Sequence, residues 1–113
     1  MDPDQRQLLH LNQAINRVEQ LTRHGENEFM DSMAIRHAVL WNMELMSLAA
    51  RHLSEHDRKA HPDIDWDHLC HLCHDVIGNP WEVDNHKVWS FVSEELPDLK
   101  HHIRAILAER SMK

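Results

Sequence analysis

The sequence predicts an all-α protein, an up-and-down bundle of four to five helices, and three observations carry that reading. Only two glycines and four prolines interrupt the 113 residues. No stretch alternates apolar and polar residues at the period of two that a half-buried strand requires. Apolar residues recur instead three and four apart, the spacing of one helix face. The length fits one domain, residues 1–113, with one hydrophobic core.

The first helix is expected over about residues 4 to 24, because Leu8, Leu11, Ile15, Val18 and Leu21 fall on one stripe and Gly25 supplies a stop. A second begins near Asp31 or Ser32, whose side chains can accept from free amides. It carries Ile35, Ala38, Val39, Trp41, Leu45, Met46, Ala49 and Leu53, an apolar surface wide enough for the centre of a bundle. Ser54 with Asp57 three residues on resembles a capping box, so "SEHDRKA" reads as a short helical turn that Pro62 ends. Asp65 then caps a third long helix holding Trp66, Leu69, Cys70, Leu72, Cys73, Val76 and Ile77, which Gly78 and Pro80 terminate. Asp84 caps a fourth with Val88, Trp89, Phe91 and Val92. Pro97 stands where a first helical residue would and opens a last helix with Leu99, Ile103, Ile106 and Leu107. Short connections between these helices favour antiparallel neighbours.

Composition narrows the function. Nineteen acidic against twelve basic residues give a formal charge of -7, which opposes bulk attraction to a phosphate backbone. RNA stays open as a partner only through local contacts. No apolar run reaches the roughly 18 to 20 residues of a membrane span, and "MDPDQRQ" lacks the basic-then-apolar pattern of an export signal. The expectation is a cytoplasmic protein with no membrane contact, its cysteines held as thiols. Twelve histidines, most expected in solvent, make the net charge rise as pH falls from about 7 towards 6.

The densest chemistry is Cys70-His71-Leu72-Cys73-His74. In isolation it matches the C-x-x-C-H attachment pattern of c-type haem, with two thiols for the vinyl groups and His74 as axial ligand. A metal reading draws on Cys70, Cys73, His71 and His74, but structural zinc takes four ligands, usually as two separated pairs, and the sequence fixes no second pair. The simpler reading places Cys70, Cys73 and Ile77 on the core face and His68, His71 and Asp75 on the wetter face, with no cofactor. Asp67, His71 and Asp75 stand four apart and are expected to form ordinary surface pairs.

Several ordered pieces carry a family resemblance: "EFMD" (28–31), "RHAVLWNMEL" (36–45), "LSEHDRKAHPDIDW" (53–66), "EVDNHKVW" (82–89) and "LPDLKHHI" (96–103). From Leu8 to Leu107 the chain resembles the HepT-like branch of the HEPN superfamily, small helical proteins usually encoded beside a minimal nucleotidyltransferase in toxin–antitoxin pairs. The resemblance implies a HEPN-like bundle, a homodimer and ribonuclease activity. The family motif is an Arg, a polar residue next to it, a His five positions after the Arg and a Tyr two beyond. The His would move a proton and the Arg would stabilise charge developing on the phosphate. In some members the partner attaches AMP to the Tyr.

Counted from Trp66, the Arg position falls on Cys73, the polar position on His74, the His position on Gly78 and the Tyr position on Pro80. Cysteine carries no permanent positive charge, glycine moves no proton, and the chain has no tyrosine. The Gly-Glu pair of many relatives is replaced by Ser47 and Leu48, and no arginine occurs between Arg58 and Arg104. The leading expectation is therefore a dimeric interaction module that pairs with a nucleotidyltransferase-type antitoxin. The alternative is a ribonuclease toxin with a rewired site, in which His71 and His74 act as acid and base and Arg36 or Arg104 supplies the cation. Four tryptophans, Trp41, Trp66, Trp81 and Trp89, are many for a small bundle, and some of them are expected at an interface.

Overall fold

The computed structural model describes residues 2–79 and 81–112. Every regular element among them is helical: α1 (Pro3–Leu21), α2 (Glu26–Asp31), α3 (Met33–Arg51), α4 (Glu55–Ala60), α5 (Trp66–Cys70), a π-helical turn π1 (Cys73–Ile77), α6 (Asn85–Ser90), a second π turn π2 (Phe91–Glu95) and α7 (Leu96–Ser111). The all-α expectation holds.

The long helices α1, α3 and α7 make the frame, with α1 packed between the other two. Leu8, Leu11, Ala14, Ile15 and Val18 of α1 are buried, so the predicted stripe is the inner face. Across from it α3 buries Val39, Met43, Met46, Ala49 and Ala50, and α7 buries Leu96, Ile103 and Ile106. Caps fall where the sequence places them. Ser32 accepts from the amide of Ile35, Ser54 from Asp57, Asp65 from His68, and Asp84 from His86 and Lys87. Each satisfies an amide that has no partner inside its helix.

Three features depart from the expectation. Gly25 is not simply a stop: with φ of 94° it is the N-cap of α2, a short helix the apolar pattern does not mark and whose one buried residue is Phe29. Trp41 lies on α3 but is 63% exposed, whereas Asn42 and Ser47 of the same helix are buried. The expected fourth and fifth helices also run together through π2. Pro97 is the second residue of α7, not the start of a separate helix. Lacking an N–H, it cannot donate to a carbonyl four residues back, and the wider π turn just before it, closed by the Leu96 amide on the Phe91 carbonyl, absorbs the mismatch.

Of the tryptophans, Trp66 is buried and donates its indole N–H to the His61 carbonyl at 2.9 Å. Trp89 packs against Phe29 with ring centroids 5.3 Å apart. Trp81 is 93% exposed. No helix among the described residues is long and apolar enough to cross a membrane.

Candidate functional site

The segment that the resemblance marks as the site lies where α5 gives way to π1. Trp66, Leu69 and Cys70 anchor α5 in the core. Ser47, buried on α3, donates its hydroxyl to the Leu69 carbonyl at 2.9 Å and ties the two helices. Beyond Leu72 the helix widens: the Gly78 amide reaches the Cys73 carbonyl at 2.8 Å, five residues back. Gly78, at φ of 66°, then ends the turn in the left-handed region that other residues enter only at a cost. Pro80, the position assigned to the family tyrosine, lies outside the described residues.

Beside π1 runs an open groove of about 570 Å³. Cys73, His74, Ile77 and Gly78 form one wall and Val83 extends it, while His37, Leu40, Trp41 and Glu44 of α3 form the other. Two side chains join the walls. The Cys73 thiol donates to Glu44 Oε2 at 2.7 Å, and Arg51 Nη2 stands 3.3 Å from Glu44 Oε1 while its Nη1 donates to the Cys70 carbonyl at 3.2 Å.

This geometry fixes the protonation states. Burial first, and then the bond to Glu44 and its charge, push the Cys73 thiol up to about 12. Glu44 is held below the usual carboxylate range, chiefly by that thiol and, against the opposing effect of burial, also by Arg51. At neutral pH Cys73 is an uncharged donor and Glu44 an ionised acceptor. A thiol so protonated is a poor nucleophile at neutral pH.

The histidines of the cluster do not act together. His74 lines the groove, its side chain 90% exposed, with Nδ1 3.3 Å from Asp75 Oδ1. His71 is exposed and its Nδ1 bonds the Asp67 carbonyl at 2.8 Å, so the expected His71–Asp75 side-chain pair is absent. Asp75 is engaged by His68 instead: Nδ1 of His68 lies 3.0 Å from Asp75 Oδ2, and its Nε2 lies 2.9 Å from Glu95 Oε1 on π2. His68 foremost and then His74 lower the Asp75 carboxyl below its ordinary value. His68 thus belongs to a buried-edge network and not to the open surface that the sequence suggested.

The thiols are free, and they diverge. Cys70 is buried with Arg58 Nη1 3.7 Å from its sulfur, while Cys73 faces Glu44. Among the described residues no group of three or more His, Cys, Asp or Glu could hold a metal ion, so the structure does not assemble Cys70, Cys73, His71 and His74 into a ligand set.

Neither Arg36 nor Arg104 lines the groove. Arg36 gives its guanidinium to the Phe29 and Met30 carbonyls at the end of α2, and Arg104 reaches Asn16 Oδ1 at 3.4 Å. Arg51 is the arginine beside the groove wall. A signal for it was present, because Glu44 and Arg51 stand seven apart, two turns along one helix face.

Comparison with known proteins places this arrangement. A family model described as "Ribonuclease HepT-like" matches residues 11–106. The chain is 26% identical over 80 residues to the protein named "Putative RNase MJ1380" of Methanocaldococcus jannaschii, covering 71% of this chain and 73% of that one. It is 26% identical over 89 residues to the "Probable ribonuclease HepT" of Thermococcus cleftensis, covering 78% and 81%. A third relative, "Gamma-glutamylcyclotransferase and putative RNase MJ0434" of M. jannaschii, is 26% identical over 90% of this chain but only 46% of its own length. No solved structure matches. The helical frame and a family match spanning most of the sequence lead to one conclusion: the chain belongs to the HepT-like ribonuclease family of the HEPN superfamily.

Proposed function

We propose that this HepT-like protein is a non-catalytic member of its family, a dimeric interaction module that pairs with a nucleotidyltransferase-type antitoxin. The observation that carries the reading is the Cys73–Glu44 bond. At the position the resemblance gives to arginine stands a thiol that keeps its proton and donates it to a carboxylate already paired with Arg51, so the position supplies no cation of its own to an RNA phosphate. Gly78, at the histidine position, has no side chain to carry a proton, and Arg36 and Arg104 are committed to α2 and α1.

The surface supports a pairing role. His37, Trp41 and Leu48 form an exposed strip on α3, and Trp81 is exposed as well. Exposed aromatic residues of this kind are what an interface buries.

The test is RNA cleavage by the purified protein from pH 5 to 8. A flat, background-level rate, the same for His74→Ala, is expected. RNA degradation that His74→Ala abolishes would overturn the reading in favour of the rewired His71/His74 ribonuclease. Sedimentation at micromolar concentration should show a dimer that Trp41→Asp converts to monomer, and a minimal nucleotidyltransferase coexpressed with it should co-elute.

A further inference from the structure

A second concavity lies apart from the groove and shares none of its lining residues. It holds about 240 Å³ where the turn before α5 meets π2 and the start of α7. Ile64, Leu69 and Phe91, all buried, and the half-buried Leu99 give it an apolar floor. Asp63, Asp65, Glu95 and Asp98, all exposed, form its rim. No lysine or arginine lines it. Elsewhere the chain supplies cations to its own carboxylates, as Arg110 does for Asp57, Lys100 for Glu19 and Arg51 for Glu44. Here it does not: none of Asp63, Asp65 and Asp98 has an ion-pair partner among the described residues.

We propose that this concavity docks an arginine-bearing segment of a partner protein, with a guanidinium lying on the apolar floor and between the carboxylates of Asp63, Glu95 and Asp98. The inference adds a contact to the pairing reading above and rests on it in naming a protein as the partner.

Three observations select this occupant. Among the described residues no three His, Cys, Asp or Glu side chains are placed to hold a metal ion, so the acids surround the hollow without converging on one point. A single-centre cation is poorly served by that arrangement. A guanidinium is suited to it, because it is planar, weakly hydrated and carries five N–H donors that reach carboxylates on different sides while its face covers apolar surface. The second observation is at His68, whose Nε2 is buried without a hydrogen bond and lies 2.9 Å from Glu95 Oε1. Asp75 Oδ2, 3.0 Å from Nδ1, is an acceptor, so the ring proton belongs on Nδ1 and Nε2 turns a lone pair towards a second acceptor. A group that only donates satisfies both. Third, an adjoining hollow of about 180 Å³ shares Asp63, Ile64 and His102 and adds Glu109. Alternate side chains of an extended segment point the same way, so two arginines separated by one residue match the two hollows. RNA is the wrong sign for this rim.

The probe is the acetylated and amidated peptide Ala-Arg-Ala-Arg-Ala, followed by amide NMR shifts of the isotope-labelled protein. Shifts should centre on Leu69, Phe91 and Leu99. Citrulline in place of both arginines, which keeps the shape without the charge, should abolish them, and lysine in both places should weaken binding. Asp63→Asn combined with Asp98→Asn should weaken binding about fivefold, since partly exposed ion pairs are individually modest. Both side chains are exposed and make no hydrogen bond within the chain, so this variant should keep the wild-type fold. Glu26→Gln combined with Glu28→Gln removes the same charge from α2 and should change affinity less than about twofold. Equal weakening by the two pairs, shifts centred on the groove, or no binding at millimolar peptide overturns the proposal. An RNA oligonucleotide that moves the same amides overturns it too, as does conversion of the dimer to monomer by Asp63→Asn with Asp98→Asn, which would make the occupant a second copy of this chain. If the peptide fails while a coexpressed nucleotidyltransferase co-elutes, this inference falls and the pairing reading stands.

Discussion

A single proton decides the chemistry of the groove. Cys73 is half-buried and aimed at a carboxylate, an environment that penalises its thiolate twice, once by desolvation and once by repulsion from Glu44. Cysteine reactivity follows the thiolate fraction, so Cys73 should react with iodoacetamide at pH 8 at least about a hundredfold more slowly than a free thiol. Glu44→Gln removes the charge and should raise that rate, as peptide mass spectrometry would show. A wild-type rate equal to that of a small thiol would contradict the Cys73–Glu44 bond.

Caps matter more than propensity among the short elements. An isolated helix of six residues, such as α4, is too short to form unaided, so it depends on its ends and on docking. Ser54 does both: its hydroxyl accepts from the Asp57 amide and donates to Asp4 Oδ2 at 2.6 Å, while its own amide donates to Asp4 Oδ1 at 2.9 Å. Ser32 caps α3 by accepting from the Ile35 amide at 3.1 Å. Urea unfolding should therefore show Ser32→Ala costing about 1 kcal/mol, the ordinary value of a cap. Ser54→Ala should cost about 2 kcal/mol, because a tertiary hydrogen bond is lost along with the cap. Equal losses would mean that the Asp4 bond adds nothing.

The chain ends meet across the molecule. Asp4 of α1 holds Ser54 at the start of α4, and Arg110 of α7 pairs with Asp57 of α4 and stands 3.4 Å from Asp2. Burial works to raise the Asp4 carboxyl, but its bonds to Ser54 and the nearby Asp57 and Arg110 outweigh that and hold it below its ordinary value. Glu44 and Asp75 are lowered too. A carboxylate whose folded value is depressed adds stability that is fully present above its unfolded value and disappears as pH falls through the folded one. The urea midpoint contributed by these groups should hold down to about pH 5 and decline below about pH 4, and Asp4→Asn should make that decline shallower. A midpoint that stays constant to pH 3 would remove these carboxylates from the account of stability.

Much of this was legible in the residues, because helix periodicity and caps are local. Leu8 to Val18 had to share a face, and Ser32, Ser54, Asp65 and Asp84 had to accept free amides wherever the helices packed. That Cys73, Gly78 and Pro80 stand where the resemblance assigns arginine, histidine and tyrosine could also be counted off the chain. Periodicity could not separate α-helix from π turn at Cys73–Ile77 or Phe91–Glu95, since one extra residue per turn hardly alters a five-residue pattern. Nor could it show that Trp41 faces outward, that Arg51 pairs with Glu44 beside the groove, or that His68 lies near two carboxylates. Those outcomes rest on contacts between residues as far as 29 positions apart, and the protonation of Cys73 depends on what a remote helix places next to it. Spacing along the chain specifies a helix and its inner face; only packing decides which charges end up as neighbours, because Coulomb and desolvation energies depend on distance in space.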